Sequence, residues 1–423
     1  MSSLRIVSLA SRSLASRRLT ALLTILAIAT AVGLFVAVEN VRQGARQSFE
    51  RTISGTDLIV GARSSAINLV LYSVFQIGDA TNNVSWKTFQ EIRDREDVAW
   101  AVPISLGDSH RGYRVIGTTS EYFERYRFGD SRSLALARGE VFDDLFDLVI
   151  GARVARELDY DVGTSLTLSH GTGGASFKEH KDKPFVVTGV LNETGTPVDR
   201  SVFVSLPAIE AIHIGWQNGA PAPGRRNVSG DRLREPDLQP DEVTAMYLGA
   251  TSRIRTLRIQ RDLNTYRGEA LQAVIPGVAL GQLWQIMSVA ERALAAISGV
   301  VIFVGLVGVL TSILTSLNER RREMAILRSV GARPRHIIGL LVSEAVLLAF
   351  IGSVLGLVLL YGTSWLLKAA VESRFNLSAL ALLPGWFDLM VVAGVSVVAG
   401  LFGLIPAVIA LKRSLSDGMT IQF

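Results

Sequence analysis

The sequence contains no cysteine and only five histidines, and its serines and carboxylates form no recognisable catalytic motif. Without thiols, the chain cannot form disulfides, thiolate metal sites or a cysteine nucleophile. It also lacks a G-x-x-x-x-G-K-[ST] phosphate loop, a nucleophile elbow and a metalloprotease motif. With no catalytic constellation present, we predict that this chain is not itself an enzyme and binds no cofactor of its own.

Charge is also scarce for a soluble protein. Hydrophobic residues make up 49% of the 423 residues and charged residues only 19%, with a formal net charge of +5. Many arginines lie beside apolar runs, where they set membrane topology and meet anionic lipid. No basic patch interleaved with aromatics is present, which argues against nucleic-acid binding. The composition predicts membrane helices together with a large water-facing domain.

Four apolar runs are long enough to span a hydrocarbon core of roughly 30 Å. They cover residues 19–38, 293–317, 339–360 and 389–411. The first run, which follows an amphipathic segment at 4–15, could be a cleaved signal peptide, but its length and the lack of a clear cleavage site favour a retained helix. The basic residues predict cytoplasmic N- and C-termini, a cytoplasmic hairpin at 318–338 and a large domain outside.

Between the first two runs, strand-like and helix-like patterns alternate. The segment 85–95 reads as a helix capped by Ser85, and 273–278 reads as a last strand. Residues 61–83 are unusually apolar for a surface loop, so they are either core or a contact with substrate or an outer partner. This alternation predicts a mixed α/β outer domain.

The hairpin at 318–338 has more internal order than a plain linker needs. Apolar positions recur at helical spacing, and Gly331 and Pro334 would end a helix. Its six arginines are Arg320, Arg321, Arg322, Arg328, Arg333 and Arg335. The arginines alone would fit a positive-inside anchor, whereas the apolar stripe favours a short amphipathic helix that docks against another protein. We expect the docking role.

The hairpin sequence E-R-R-R-E-M-A-I-L-R-S-V-G-A-R-P-R-H, followed by an apolar helix with Glu344, Gly352 and Gly356, resembles ABC transporter permeases of the FtsX/MacB/LolCDE-like family. The resemblance is to the MacB-type, or type VII, mechanotransmission class. In that family this loop holds a coupling helix that contacts a cytoplasmic ATPase. The resemblance assigns ATPase coupling to Glu319, Glu323, Met324, Ile326, Leu327, Arg328, Val330 and Gly331.

The fold implied by the resemblance is an α-helical membrane domain of four transmembrane helices plus a large extracytoplasmic mixed α/β domain. That outer domain would be a split porter-like subdomain with an inserted β-rich lobe at about 139–239. The expected boundaries are 1–18 for a cytoplasmic amphipathic helix, 19–51 for the first span and stalk, 52–282 for the MacB-like domain, 283–317 for a second stalk and span, 318–338 for the coupling loop, 339–362 for the third span, 363–388 for an outer loop, 389–411 for the fourth span and 412–423 for a cytoplasmic tail.

The function implied by the resemblance is that of a permease subunit in the bacterial inner membrane. A separate ABC ATPase would bind ATP and magnesium, and a second permease copy would complete a homo- or heterodimer. The complex would do mechanical work on an outer cargo, with or without an outer adaptor, and the sequence does not identify the cargo. Two alternatives stay open: an FtsX-like regulator that activates a partner such as a cell-wall hydrolase, and a membrane sensor without an ATPase.

Three further groups of residues are candidates for weaker roles. Glu344 lies about one turn inside the third span, where it is either functional or a carboxylate that reaches the interface. Close helix packing is predicted at Gly352, Gly356, Gly394, Gly400 and Gly403. His170 and His180 are weak metal candidates, because two histidines in a glycine-rich loop without a third ligand are usually solvated.

Overall fold

A computed structural model of the chain describes residues 18–171, 178–179, 183–214, 216–217, 220–221, 238–319, 329, 333–375 and 384–412. The chain forms two compact units. The membrane unit comprises Met1–Ala45 and Ser288–Phe423, and the outer unit comprises Arg46–Met287. Both divisions fall inside helices, so both connections between the units are helical.

Four long helices contribute to the membrane unit. They are α1 (Arg18–Thr52), α8 (Pro276–Glu319), α9 (Pro334–Phe375) and α10 (Trp386–Lys412). Each contains a stretch that is long and apolar enough to cross a membrane, namely Arg18–Gly44, Pro276–Thr315, Pro334–Leu366 and Trp386–Leu411. The four helices contain the four apolar runs of the sequence. All four predicted spans are therefore helices.

One predicted boundary near the membrane helices was wrong. The last strand, expected at 273–278, ends at Val274, and α8 begins at Pro276. Proline favours the first turn of a helix, because its fixed φ suits the helix and its missing N–H has no partner there anyway. Helix α9 continues to Phe375 and α10 begins at Trp386, so both ends of the segment expected as an outer loop at 363–388 are helical, and that boundary stays a prediction.

The outer unit is built on one large sheet with short helices on it. Its helices are α2 (Ala66–Ser73), α3 (Trp86–Arg93), α4 (Glu121–Arg125), α5 (Ala152–Leu158), α6 (Leu206–His213) and α7 (Arg253–Asn264). The strands of the twelve-stranded sheet are β1 (Leu58–Ala62), β3 (Val98–His110), β4 (Tyr113–Thr118), β7 (Leu136–Gly139), β8 (Asp147–Ile150), β9 (Ser165–Leu166), β10 (Ser169–His170), β11 (Lys178–Glu179), β12 (Phe185–Leu191), β13 (Ser201–Ser205), β17 (Ala245–Ala250) and β18 (Leu271–Val274). Short two-stranded pairs are made by β2 (Val84–Ser85) with β16 (Glu242–Val243), β5 (Arg127–Phe128) with β6 (Arg132–Ser133), and β14 (Trp216–Gln217) with β15 (Ala220–Pro221).

The longest strand, β3, joins the two halves of the sheet. The main path runs β18-β1-β17-β3-β4-β13-β8-β12-β7. The first part of β3 pairs antiparallel with β17, while its later part pairs antiparallel with β4. The β-rich lobe predicted at about 139–239 remains a prediction, but its strands β8, β12 and β13 share this sheet with β3 and β4. They are therefore continuous with the rest of the outer unit through backbone hydrogen bonds.

The first part of the apolar segment 61–83, up to Phe75, belongs to the core, whereas Ile77 is 53% exposed. Helix α2 is capped by Ser65, whose hydroxyl accepts a hydrogen bond from the Asn68 N–H at 3.0 Å. Leu69 and Tyr72 are buried, and a Cβ on Gly61 would lie 2.7 Å from an atom of each side chain. Glycine at position 61 thus lets the helix approach β1. Of the two interpretations of this segment, the structure supports core packing.

Candidate functional site

Most of the predicted coupling residues lie outside the described part of the chain. Glu323, Met324, Ile326, Leu327, Arg328, Val330 and Gly331 belong to that group. The backbone of Glu319 ends α8, and α9 begins at Pro334. The His336 ring nitrogen Nδ1 accepts a hydrogen bond from the Arg333 N–H at 3.2 Å, which satisfies a donor at the start of α9. The coupling role stays a prediction about a hairpin that two membrane helices flank.

Three glycines bring α1 and α9 into close contact. A Cβ on Gly356 would lie 2.4 Å from the Ala29 carbonyl oxygen, and one on Gly352 would lie 2.8 Å from the Ile28 Cβ. On the facing helix, a Cβ on Gly33 would lie 3.2 Å from the Gly356 carbonyl oxygen. Small residues at such crossings let helix backbones approach closely. The predicted packing at Gly352 and Gly356 therefore occurs within this chain, between its first and third membrane helices.

Helix α10 uses a second pair of glycines against α9. A Cβ on Gly403 would lie 3.0 Å from the Ala345 Cβ, and one on Gly400 would lie 3.1 Å from the Val346 side chain. Gly394 was predicted to act in the same way, but a Cβ there would meet no atom within 4 Å. The side of α10 at Gly394 faces no other described helix of this chain, so close packing at Gly394 stays a prediction.

Glu344 lies on α9 and is only 4% exposed. A carboxylate that reaches the interface would keep its head group in water, whereas this side chain is enclosed by the membrane unit. Its neighbour Ala345 is fully buried and lies opposite Gly403. Burial does not assign a role to Glu344, which stays a candidate for function.

A polar network that the sequence analysis missed joins three helices of the membrane unit. The Tyr361 hydroxyl of α9 donates to the Asp388 carboxylate of α10 at 2.6 Å and accepts a hydrogen bond from the Asn40 amide of α1 at 3.3 Å. Asp388 is buried and also accepts from the Gly385 N–H at 2.7 Å. Buried polar groups need such partners. The signal available in the sequence was a tyrosine and an aspartate at the edges of apolar runs.

A charged contact links α1 to α8 within the same unit. Arg42 pairs with Glu39 one turn earlier at 2.6 Å and with Glu291 of α8 at 3.5 Å. All three side chains are partly exposed, so the stabilisation is modest. Together with the Tyr361 network, this contact gives α1 polar partners on α8 and α9, and Tyr361 of α9 bonds in turn to Asp388 of α10.

The outer unit contains a charged pair that links its sheet to a helix. The His213 ring of α6 lies 3.6 Å from the buried Asp108 carboxylate of β3. Burial lowers the pKa of His213, but the interaction with Asp108 outweighs that effect and the pKa is raised. The protonated imidazole therefore stabilises this packing.

Another buried carboxylate stabilises the turn before β13. Asp199 accepts hydrogen bonds from the Thr194 N–H at 2.8 Å and the Gly195 N–H at 2.7 Å. Burial raises the pKa of Asp199, and these hydrogen bonds offset only part of that shift. The contacts are those of a structural turn.

The histidines proposed as weak metal ligands do not gather a ligand set in the described part of the chain, although the backbone of His170 pairs opposite Asp108 of β3. His170 belongs to β10, and His180 lies outside the described residues. Within the described ranges, no group of three or more His, Asp or Glu side chains is placed to hold a metal ion. The metal site remains a prediction without structural support.

Models of known protein families match residues in both units of the chain. Residues 21–252 match the MacB-like periplasmic core domain, and residues 295–415 match the FtsX-like permease C-terminal domain. The first match alone spans more than half of the chain. The chain belongs to the MacB/FtsX-like permease family. It is thus an ABC transporter permease-type membrane protein with a large extracytoplasmic domain, as the hairpin predicted.

The curated relatives are exporters by name. The macrolide export ATP-binding/permease protein MacB of Bdellovibrio bacteriovorus is 25% identical over 377 residues, which cover 84% of this chain and 53% of that protein. MacB of Nitrobacter winogradskyi is 23% identical over 354 residues, or 80% of this chain and 49% of that protein. The pyoverdine export protein PvdT of Pseudomonas entomophila is 38% identical over 116 residues, or 27% and 16%. The chain spans about half the length, or less, of these MacB/FtsX-like relatives.

One solved structure aligns with part of this chain. The periplasmic region of MacB from Actinobacillus actinomycetemcomitans aligns with 55% of this chain and 94% of that chain, at 11% identity and a TM-score of 0.34.

Proposed function

We propose that the chain is the transmembrane subunit of an ABC transporter that performs mechanical work on a cargo outside the membrane. In this proposal a separate cytoplasmic ABC ATPase binds ATP and magnesium and contacts the hairpin at 318–338. Family membership over both units is the observation that supports it. A hairpin rich in arginine and patterned as an amphipathic helix, between two membrane helices, supports the ATPase contact in particular.

The proposed mechanism uses the helical connections between the units. Closure of the ATPase dimer would move the segment around Glu323 and Leu327. Helices α8 and α9, which flank the hairpin, would then pass the displacement to the membrane unit. The glycine contacts at Gly352 and Gly356 and the Tyr361 network would move α1 together with α9, and α1 and α8 continue into the outer unit.

The remaining features of the complex follow from the same proposal. Two permease copies, identical or different, would act with two ATPases, and both termini would be cytoplasmic. The match to the MacB-like periplasmic core domain favours cargo handling, with or without an outer adaptor, over hydrolase activation. The named relatives export a macrolide and pyoverdine, which suggests a small molecule, peptide or lipoprotein as cargo.

The absence of cysteine permits a direct test of the ATPase contact. Ala325→Cys would introduce the single thiol of the chain, to which a photocrosslinker is attached after co-expression with the candidate ATPase. We expect a crosslink to the ATPase whose yield changes when ATP and magnesium are added. The matched control is Arg111→Cys in the outer unit, which should give no ATPase adduct.

The opposite result would be informative as well. If neither variant crosslinks and no ATPase co-purifies, the transporter proposal is wrong and the sensor alternative gains support. A crosslink from position 111 equal to that from position 325 would show that the adduct is nonspecific, and the coupling assignment would then be rejected.

A further inference from the structure

Helix α7 of the outer unit exposes a face that its own packing does not use. Thr256, Ile259 and Leu263 are buried against the sheet. Because successive residues advance by about 100° around a helix, the opposite side carries Ile254 and Arg261, flanked by Leu257 and Arg258. Ile254 is 86% exposed and Leu257 is 63% exposed. We call Ile254, Leu257, Arg258 and Arg261 the α7 outer face.

This face is strongly basic. The helix has the sequence RIRTLRIQRDLN, with four arginines and one aspartate. That aspartate, Asp262, is paired with Arg95 at 3.1 Å, and Arg95 also pairs with Asp97 at 2.9 Å. Among the described residues, neither Arg258 nor Arg261 forms an ion pair. The outer face therefore presents two apolar side chains beside guanidinium groups that have no carboxylate partner in the described chain.

A cleft adjoins the arginines. It has a volume of ≈ 400 Å³ and is lined by Arg95, Glu96, Asp97, Arg255 and Arg258. Arg255 and Arg258 lie on α7, and the other three residues lie in the turn before β3. A cleft of this kind can hold a side chain of a shaped partner. It would not match a fluid lipid surface.

We propose that the α7 outer face and the adjoining cleft dock an extracytoplasmic protein segment that is acidic and amphipathic. Its carboxylates would pair with Arg258 and Arg261, and its apolar side chains would cover Ile254 and Leu257. Arginine is enriched at protein-binding surfaces, and apolar side chains that a partner covers lose their exposure to water. An interfacial membrane helix would instead need a broad apolar face, and the apolar side of α7 is already buried in the sheet. This inference goes beyond the ATPase contact and does not depend on it.

The test uses the full chain in nanodiscs of zwitterionic lipid. The probe is a fluorescein-labelled acidic peptide with leucines at helical spacing, and its binding is measured by fluorescence anisotropy at physiological salt. A second peptide has the same composition in an order that removes the apolar stripe. We expect the patterned peptide to bind and the reordered peptide to bind at least about tenfold more weakly, because the anchors and the charges must meet the face together.

Two variants separate the parts of the face. Arg258→Glu with Arg261→Glu should weaken the patterned peptide by about tenfold or more, and Ile254→Ser with Leu257→Ser should do the same with the charge unchanged. The matched control is Arg111→Glu with Arg125→Glu, which makes the same charge change at exposed positions elsewhere in the outer unit. The control should change the dissociation constant less than about twofold, since screening limits interactions between distant charges.

Three results would overturn the proposal. One is equal binding of both peptides, and another is an equal loss in the control and the Arg258 variant, because either would show nonspecific attraction. The third is capture of the nanodisc-embedded chain by immobilised phosphatidylglycerol vesicles, lost in the Arg258 variant, without peptide binding. That result would make the face a contact for anionic lipid. None of these measurements requires an ATPase, so failure here leaves the transporter proposal intact, and the reverse also holds.

Discussion

The outer unit and the membrane unit are each stabilised internally by a different kind of contact. In the outer unit, large side chains fill the space on the sheet, as where Phe203 packs its ring 5.2 Å from Tyr122 and 5.5 Å from Phe123. In the membrane unit, helices α1 and α9 come closest at Gly352 and Gly356, which have no side chain to keep the backbones apart. Several large apolar residues of the membrane unit point outward; Phe303, for example, is 55% exposed.

The difference follows from the two solvents. Water drives apolar side chains of the outer unit into a core, since each buried methylene contributes about 0.8 kcal/mol. Lipid tails are as apolar as leucine, so the membrane helices gain little by hiding such residues and associate through close packing and hydrogen bonds. The same residue type should therefore matter differently in the two units.

Replacing a phenylalanine in each unit should show the largest contrast. Phe203→Ala removes a fully buried ring and should lower the free energy of unfolding by about 3–5 kcal/mol. Phe303→Ala, at a 55% exposed position of α8, should cost only about 1 kcal/mol, because the ring keeps apolar surroundings in both states and loses one edge contact, with Phe402 at 6.1 Å. Denaturant titration of the full chain in detergent would measure both. Equal losses would contradict the distinction between the two units.

Adding one methyl group should have the next largest effect. Gly356→Ala places a Cβ against the Ala29 carbonyl oxygen, so α1 and α9 must separate, at a cost of about 1–3 kcal/mol. Gly362→Ala on the same helix meets no atom within 4 Å, and it should be neutral or stabilising by up to about 1 kcal/mol because alanine is the better helix former. Unfolding in mixed micelles should rank the two variants. A stable Gly356 variant would show that this crossing is not close packed.

Removing one hydroxyl tests the polar contribution in the membrane unit. Tyr361→Phe leaves the buried Asp388 with one fewer donor and should destabilise the unit by about 1–3 kcal/mol. Thr363→Val is the matched change on α9, because the exposed Thr363 hydroxyl donates only to carbonyls of its own helix. That control should stay within about 0.5 kcal/mol of the parent, as for most surface substitutions. Identical stabilities for the two variants would show that the Tyr361 network does not stabilise the membrane unit.

The smallest expected effect is a pH dependence confined to the outer unit. The pKa of His213 is raised in the folded protein, so its protonation stabilises the fold fully below the unfolded value and is lost as pH rises through the folded value. His213→Gln should therefore destabilise the chain more at pH 6 than at pH 9, as followed by thermal unfolding. Asp108→Asn should remove most of that pH difference or reverse it, because burial, the largest influence on the pKa of His213, lowers it once Asp108 is gone. A loss that is constant with pH would assign His213 to packing alone.

The sequence predicted the helices and strands far better than the contacts between them. Apolar length defined the four membrane spans, and Ser85 caps α3 as predicted. The length of β3 and its two partners could not be predicted, because register depends on residues far away in the chain. The Tyr361 network was missed for the same reason, since Asn40 and Asp388 lie far from Tyr361 in sequence.

The candidate sites show a similar division. Spacing alone indicated that Gly352 and Gly356 pack closely, but it did not say that their partner is α1. Gly394 had equally suggestive spacing and yet faces no described helix. A pattern of small residues indicates that a helix can pack closely, whereas the identity of its partner depends on how all four helices are arranged.

The pairing of the outer sheet has a consequence during synthesis. Strand β1 is made early, yet its two neighbours, β17 and β18, are the last strands to leave the ribosome, with Ile59 opposite both Tyr247 and Val274. Until then β1 has two unpaired edges, which can pair with other chains. Residues 58–62 therefore stay open to pairing with other chains until the segment 245–274 has been made.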